Sequence, residues 1–83
     1  MQKVTIYTRQ FCPYCTRALA LLETKPVESE QIDAGMDPVR KQEMVTRASG
    51  ARTFPQIFIG DTHIGGCDDL LALERKGQLD RIL

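Results

Sequence analysis

Two cysteines separated by two residues are the part of this sequence best suited to do chemistry. Cys12 and Cys15 stand in the stretch FCPYC, with Pro13 between them. Such a pair can carry out thiol–disulfide exchange, supply half of a metal site, or be two small apolar residues of a core. A third cysteine, Cys67, makes the number odd, which is unlike the disulfide framework of a small secreted protein.

The composition is that of an ordinary globular protein. The chain has 83 residues, of which 42% are hydrophobic and 27% charged, so we expect residues 1–83 to form one domain. Eleven basic residues balance eleven acidic ones, which gives no sign of nucleic acid or an anionic membrane as partner. The sequence has no apolar run of about 18 residues and begins without a signal-peptide pattern, so we expect a cytoplasmic protein.

Hydrophobic spacing, prolines and glycines predict seven secondary-structure elements. They are strand 3–8, helix 13–24, a polar edge strand 27–33, a helix that begins at Pro38 and ends before Gly50, strands 56–59 and 62–64 of a hairpin, and helix 67–76. The order is β-α-β-α-β-β-α. The first β-α-β unit predicts two parallel strands joined by a right-handed crossover. The fold class is therefore α/β, a four-stranded mixed sheet with flanking helices.

The first cysteine falls where the first strand leads into the first helix. At the N-cap, the Cys12 sulfur would face free backbone N–H groups at the positive end of the helix dipole, which lowers the pKa of a thiol. Arg9 could add to this positive field. Cys15 lies one turn into the helix and lacks the free N–H groups. We therefore predict that Cys12 is the exposed nucleophile and that Cys15 is the thiol that resolves its mixed disulfides.

A zinc site is the main alternative to redox chemistry. With His63 and Cys67, the pair makes C-x-x-C…H-x-x-x-C, which could supply four tetrahedral ligands. Zinc knuckles usually turn with glycine after the second cysteine, whereas here TRALALLE continues as a helix. A histidine in an alternating strand is more often a surface or packed imidazole than a ligand. The redox interpretation is favoured, and we predict no metal.

The motifs together resemble those of the dithiol glutaredoxins, especially the bacterial glutaredoxin 3 type. The stretches YTRQFCPYC and RTFPQIFIGDTHIGGCDDL, and the spacing between them, carry the resemblance over essentially the whole chain. The resemblance implies a thioredoxin-like fold and a glutathione-dependent thiol–disulfide oxidoreductase. Its substrates would be glutathione mixed disulfides and protein disulfides. Glutathione would be the co-substrate, with no tightly bound cofactor.

The resemblance also implies a groove that binds glutathione beside Cys12. By position, its residues are Arg9, Tyr14, Thr53, Phe54, Pro55, Gly66, Cys67 and Asp68. The Phe54 backbone would pair with the glutathione cysteinyl unit, before a cis Pro55. Gly66, Cys67 and Asp68 would hold the γ-glutamyl end, although Asp68 and Asp69 could equally serve only to complement the helix dipole. Two residues depart from the family pattern, because Phe54 replaces a usual valine and Arg9 a usual lysine.

The resemblance implies partners as well. Glutathione would be regenerated by an NADPH-dependent glutathione reductase, and the protein would act as a monomer on glutathionylated or disulfide-containing proteins. One rival is a small redoxin coupled to thioredoxin reductase, which would lack the glutathione groove. Another is a dimeric iron–sulfur scaffold, and Pro13 argues against it because members of that class usually lack the active-site proline.

Overall fold

A computed structural model describes residues 2–83. The elements are β1 (Val4–Thr8), α1 (Pro13–Glu23), β2 (Ser29–Asp33), α2 (Pro38–Arg47), β3 (Gln56–Ile59), β4 (Thr62–Gly65), α3 (Cys67–Arg75) and α4 (Leu79–Ile82). Prolines at the first helical position begin α1 and α2, where the missing N–H removes no helical hydrogen bond. No helix within residues 2–83 combines the length and apolar character that crossing a bilayer requires.

The four strands form one mixed sheet in the order β2-β1-β3-β4. β1 runs parallel to β2 and antiparallel to β3, and β3 and β4 form the antiparallel hairpin. Every residue of the central strand β1 is buried, whereas four of the five residues of the edge strand β2 are exposed. The predicted fold class is confirmed, including the parallel first pair.

Alternation along the central strands sends side chains to two separate cores, one on each face of the sheet. Ile6 and Ile57 pack with α1, α3 and α4 on one face, in a cluster that includes Leu22 and Leu70. Tyr7 and Phe58 pack with α2 on the other face and meet edge to face, with ring centroids 5.7 Å apart. The C-terminal end of β1, buried between these cores, leads directly into the loop that carries Cys12.

The structure corrects several predicted boundaries: β1 begins at Val4 rather than at 3 and α1 ends at Glu23 rather than at 24. β2 begins at Ser29 rather than at 27, β4 extends to Gly65, and α3 ends at Arg75. It also adds α4, which the sequence pattern did not reveal because four residues are too few to display helical periodicity. Leu79 of this short helix is fully buried in the first core.

Candidate active site

The two cysteines of the motif meet at the beginning of α1. Cys12 is the N-cap residue, and its sulfur accepts a hydrogen bond from the Cys15 backbone N–H at 3.1 Å. The two Sγ atoms are disulfide-bonded, with the Cα atoms 5.2 Å apart. The N-cap conformation turns the Cys12 side chain along the first helical turn, which is where Cys15 lies one turn further on. This arrangement allows the pair to alternate between a dithiol and a disulfide.

The prediction that Cys12 is exposed is wrong for this disulfide form. Cys12 is 6% exposed and Cys15 is 3% exposed, so accessibility hardly distinguishes the two residues. Cys12 is buried because its sulfur points along the helix towards Cys15, whereas the neighbouring Phe11 side chain turns into solvent and is 93% exposed. The two cysteines differ instead in the position of their sulfurs. Of the two, the Cys12 sulfur accepts a hydrogen bond from a backbone N–H at the start of the helix.

A cleft of about 390 Å³ opens beside the dithiol, between the beginning of α1, the loop before β3 and the beginning of α3. It is lined by Tyr14, Ala51, Thr53, Phe54, Pro55, Gln56, His63, Gly65, Gly66, Cys67, Asp68 and Asp69. The Phe54–Pro55 peptide bond is cis, as the resemblance implies. Every residue of the predicted groove except Arg9 therefore lies on one concave surface.

The beginning of α3 forms the far wall of this cleft. The Asp69 carboxylate accepts a hydrogen bond from the Gly66 N–H at 3.0 Å and caps the helix. Gly65 before it has a φ of 120°, a conformation that favours glycine. Burial raises the pKa of the Cys67 thiol and the Asp68 carboxylate raises it further, against a lowering effect of Arg17. Cys67 is thus held as a neutral thiol, while the Asp68 side chain is left to face the cleft.

Arg9 lies on the other side of the dithiol. Together with Phe11, Cys12, Cys15 and Gln31, it lines a second cleft of about 420 Å³. Its guanidinium donates to the carbonyls of Gln10 and Phe11 at 3.1 and 3.3 Å. The loop that carries Arg9 packs closely against Gly35, because a Cβ added to Gly35 would lie only 2.6 Å from the Arg9 Cβ. This contact keeps Arg9 on that side of the dithiol. Arg9 is thus close to Cys12 but not part of the cleft that the other predicted groove residues form.

Sequence reasoning placed neither Gln56 nor His63, two polar residues of the lining, in the cleft. Gln56 is buried, and its side chain bridges His63 and Thr53. The hairpin prediction could have found the pair, because β3 and β4 place His63 opposite Phe58, on the sheet face that Gln56 shares.

Among residues 2–83, no three His, Cys, Asp or Glu side chains come together as metal ligands.

Comparisons with known proteins agree with this geometry. The family model described as glutaredoxin matches residues 4–64. Glutaredoxin 3 of Escherichia coli strain K12 is 49% identical, over 100% of this chain and 99% of its own length.

Two solved structures are similar in fold as well as in sequence. A glutaredoxin from Brucella melitensis is 58% identical with a TM-score of 0.85, covering 100% of this chain and 89% of that one. A buckwheat glutaredoxin, solved as a complex with glutathione, is 30% identical with a TM-score of 0.83, covering 96% of this chain and 74% of that one. With a disulfide-bonded C-P-Y-C pair at a helix start, a family-model match over residues 4–64 and relatives about half identical over the full chain, this chain belongs to the glutaredoxin family, as a member of the bacterial glutaredoxin 3 type.

Proposed function

We propose that this protein is a glutathione-dependent thiol–disulfide oxidoreductase, which reduces glutathione mixed disulfides and protein disulfides through Cys12 and Cys15. The observation that carries the proposal is the position of the pair. The Cys12 sulfur caps α1 through the Cys15 N–H, within bonding reach of the Cys15 sulfur and beside a cleft that the predicted groove residues line. Glutathione is the co-substrate, and no tightly bound cofactor takes part.

Reduction of a glutathione mixed disulfide uses one protein thiol. The Cys12 thiolate attacks the glutathione sulfur, the disulfide of the substrate breaks, and the other thiol leaves as a thiolate that takes up a proton. A second glutathione, as its thiolate, then attacks the glutathione sulfur bonded to Cys12. The products are glutathione disulfide and the Cys12 thiolate, so the enzyme is regenerated and electrons balance.

Direct reduction of a protein disulfide uses both thiols. Cys12 forms a mixed disulfide with one sulfur of the substrate, and the Cys15 thiolate attacks Cys12 to release the second substrate thiol. The enzyme is left with the Cys12–Cys15 disulfide, which is the form of the pair in this structure. Two glutathiones then reduce it in successive exchanges and become glutathione disulfide.

We propose that glutathione lies in the cleft with its cysteinyl unit along the backbone of Phe54, next to Pro55. The γ-glutamyl end would lie at the start of α3, where the backbone N–H of Cys67 favours a carboxylate and Asp68 favours an ammonium. Asp69 already accepts the Gly66 N–H, which leaves Asp68 as the acidic group for this contact.

Two further residues are proposed to contact glutathione, one in the cleft and one outside it. Tyr14 is 55% exposed on the α1 side, with the Arg17 guanidinium 5.8 Å from its ring centroid, and would cover the bound peptide. Arg9 would act on a glutathione carboxylate from the other side of Cys12, through its charge.

The proposal extends to the setting of the reaction. The 83 residues act as one domain and as a monomer in the cytoplasm. Glutathione is regenerated there by an NADPH-dependent glutathione reductase, and the substrates are glutathionylated or disulfide-containing proteins.

A coupled assay tests the proposed function. A glutathione mixed disulfide, glutathione, glutathione reductase and NADPH are mixed, and loss of NADPH absorbance is followed with and without the protein. We expect turnover that depends on the protein and on glutathione. Turnover only when thioredoxin reductase replaces glutathione and its reductase would contradict the proposal and favour a redoxin of the other class.

A further inference from the structure

A chain of hydrogen bonds runs along the cleft from β4 to the loop before β3. His63 Nε2 and Gln56 Oε1 are 2.7 Å apart. The Gln56 Nε2 atom donates to the Thr53 carbonyl at 3.0 Å and to the Thr53 Oγ1 at 3.1 Å. Gln56 is 3% exposed, so its amide depends on these protein partners for its hydrogen bonds. All three residues line the cleft, and none of the steps proposed above uses His63 or Gln56.

The direction of this chain follows from the Thr53 carbonyl, which can only accept a hydrogen bond. The Gln56 amide must therefore present its NH₂ group to Thr53, and its carbonyl oxygen must face His63. Since that oxygen can also only accept, His63 Nε2 must carry a hydrogen and donate it.

The same direction determines what the Thr53 hydroxyl can do. Its oxygen accepts from Gln56, so its hydrogen remains available to donate, and Thr53 is an exposed residue of the cleft wall. A hydroxyl used in this way offers a donor to an acceptor oxygen of a bound ligand. The three residues thus form a hydrogen-bond relay. The N–H of His63 fixes the orientation of the Gln56 amide, and the Gln56 NH₂ group in turn leaves the Thr53 hydroxyl hydrogen free to donate.

His63 is held in place by the sheet. It pairs with Phe58 across the β3–β4 hairpin, and the two rings stack with centroids 5.0 Å apart at an interplanar angle of 29°. An irregularity in the β3–β4 register lies between Ile57 and Phe58, next to this pair. Bulges at such places commonly re-aim a side chain, and here the imidazole is directed at Gln56.

We propose that His63 is a positioning residue for glutathione: acting through Gln56, it holds Thr53 as a hydrogen-bond donor towards the bound peptide. The proposal rests on the function proposed above. The proposed role depends on the imidazole N–H, which reaches Gln56. It does not depend on the flat ring as such, which stacks on Phe58.

A matched pair of variants tests the proposal. His63→Phe keeps a flat ring for Phe58 and removes the donor, whereas His63→Gln loses the ring and keeps a donor. In the coupled assay, we expect His63→Phe to raise the KM for the glutathione mixed disulfide about three- to tenfold, the usual effect of one hydrogen bond, with kcat unchanged. His63→Gln should stay within about twofold of the wild type.

A double-mutant cycle shows whether His63 acts through Thr53. In a Thr53→Val background there is no hydroxyl to orient, so His63→Phe should change KM by less than about twofold. Equal effects of His63→Phe in both backgrounds, or equal damage from the Phe and Gln variants, would overturn the proposal.

A measurement on the unmodified protein is independent of any variant. Long-range ¹H–¹⁵N correlation spectra of the His63 ring near neutral pH should show a hydrogen on Nε2, and a ring protonated on Nδ1 alone would overturn the relay. Failure of the proposed function would be recognised differently, since the wild type itself would then show no glutathione turnover. An active wild type with an unchanged His63→Phe would overturn only the role of His63.

Discussion

The helices α1 and α3 both begin beside a cysteine at the active site, yet they use their N-termini in opposite ways. At α1 a sulfur is the cap, because Cys12 accepts the Cys15 N–H and no acidic residue lies in the first turn. At α3 the N-cap is Gly66, the first turn contains Asp68 and Asp69, and Asp69 binds the Gly66 N–H.

Only the start of α1 is arranged to support a thiolate. The positive end of a helix stabilises a thiolate less when a carboxylate already lies there. At α1 the place is open to the Cys12 sulfur. At α3 the Asp69 carboxylate already accepts the Gly66 N–H, and burial together with Asp68 raises the pKa of Cys67. The start of α1 is therefore suited to thiol–disulfide exchange, whereas the start of α3 is suited to the ligand contacts proposed above.

The largest expected effect separates Cys12 from Cys67. Cys12→Ser removes the sulfur placed at the open start of α1, so activity towards glutathione mixed disulfides and protein disulfides should fall at least about a hundredfold. Cys67→Ser should stay within about twofold, because that thiol is neutral and buried. Activity assays with both substrate types provide the comparison, and an active Cys12→Ser variant would break it.

The second largest effect concerns the two thiols within α1. Cys15→Ser should keep glutathione mixed-disulfide activity within about tenfold, since glutathione can release the glutathionyl group from Cys12. It should lose most direct reduction of a protein disulfide, where only a neighbouring thiol is well placed to resolve the bulky mixed disulfide. Equal losses on both substrates would show that Cys15 takes part in every exchange.

Alkylation across pH compares the cysteines directly in the reduced protein. We expect iodoacetamide to label Cys12 first, since the Cys15 N–H faces its sulfur. A raised pKa means a smaller thiolate fraction at any given pH, so Cys67 should need a higher pH to react than a free cysteine, whose pKa is about 8.5. Mass spectrometry of the labelled peptides identifies each site.

The control for this experiment is Asp68→Asn. Removing the carboxylate removes one cause of the raised pKa, so Cys67 should react at a lower pH than in the wild type, while burial continues to slow it. Labelling of Cys67 before Cys12 in the wild type would contradict the contrast between the two helix starts.

A smaller effect concerns stability and tests the α3 cap. Asp69→Ala removes the acceptor of the Gly66 N–H and should lower the free energy of unfolding by about 1 kcal/mol. Asp68→Ala is the matched control, because it removes a charge from the same turn but not that bond, and should cost about 0.5 kcal/mol or less. Urea denaturation measures both, and equal losses would mean that the charge alone supports α3.

The smallest effect is expected at Arg9, on the α1 side. Arg9→Gln should raise the KM for the glutathione mixed disulfide no more than about fivefold, since an exposed charge contact contributes up to about 1 kcal/mol. Arg81→Gln, an exposed change in α4, is the control. An Arg9→Gln variant identical to the control would show that Arg9 interacts only with its own loop carbonyls.

Local patterns were sufficient for much of the fold. The β-branched run of β1, the proline that begins α1 and the Asp37-Pro38 start of α2 each specify their own conformation, and the structure has all three. The Asp37 side chain caps α2 by accepting from the N–H groups of Val39 and Arg40, both at 3.1 Å. The short helix α4 escaped prediction because the burial of Leu79, rather than its local pattern, holds it in place.

The candidate site was predictable where the motif itself places a residue. The C-P-Y-C stretch placed two thiols on one helical turn, and the resemblance gathered residues 53–55 and 66–68 into one surface, which they form. The burial of Cys12 could not be predicted in the same way. It depends on where the sulfur points and on what surrounds the first turn of α1.

Sequence alone predicts the order of the first seven elements, the position of Cys12 at a helix start and the acidic first turn of α3, because each depends on residues within about one helical turn of each other. Tertiary structure alone decided that Arg9 lies across the dithiol from the other groove residues, and that Gln56 connects His63 to Thr53. The physical reason is the same in both cases. The packing of the sheet against its helices decides which side of the dithiol a loop faces and which strands lie side by side. Spacing along the chain does not decide either of them.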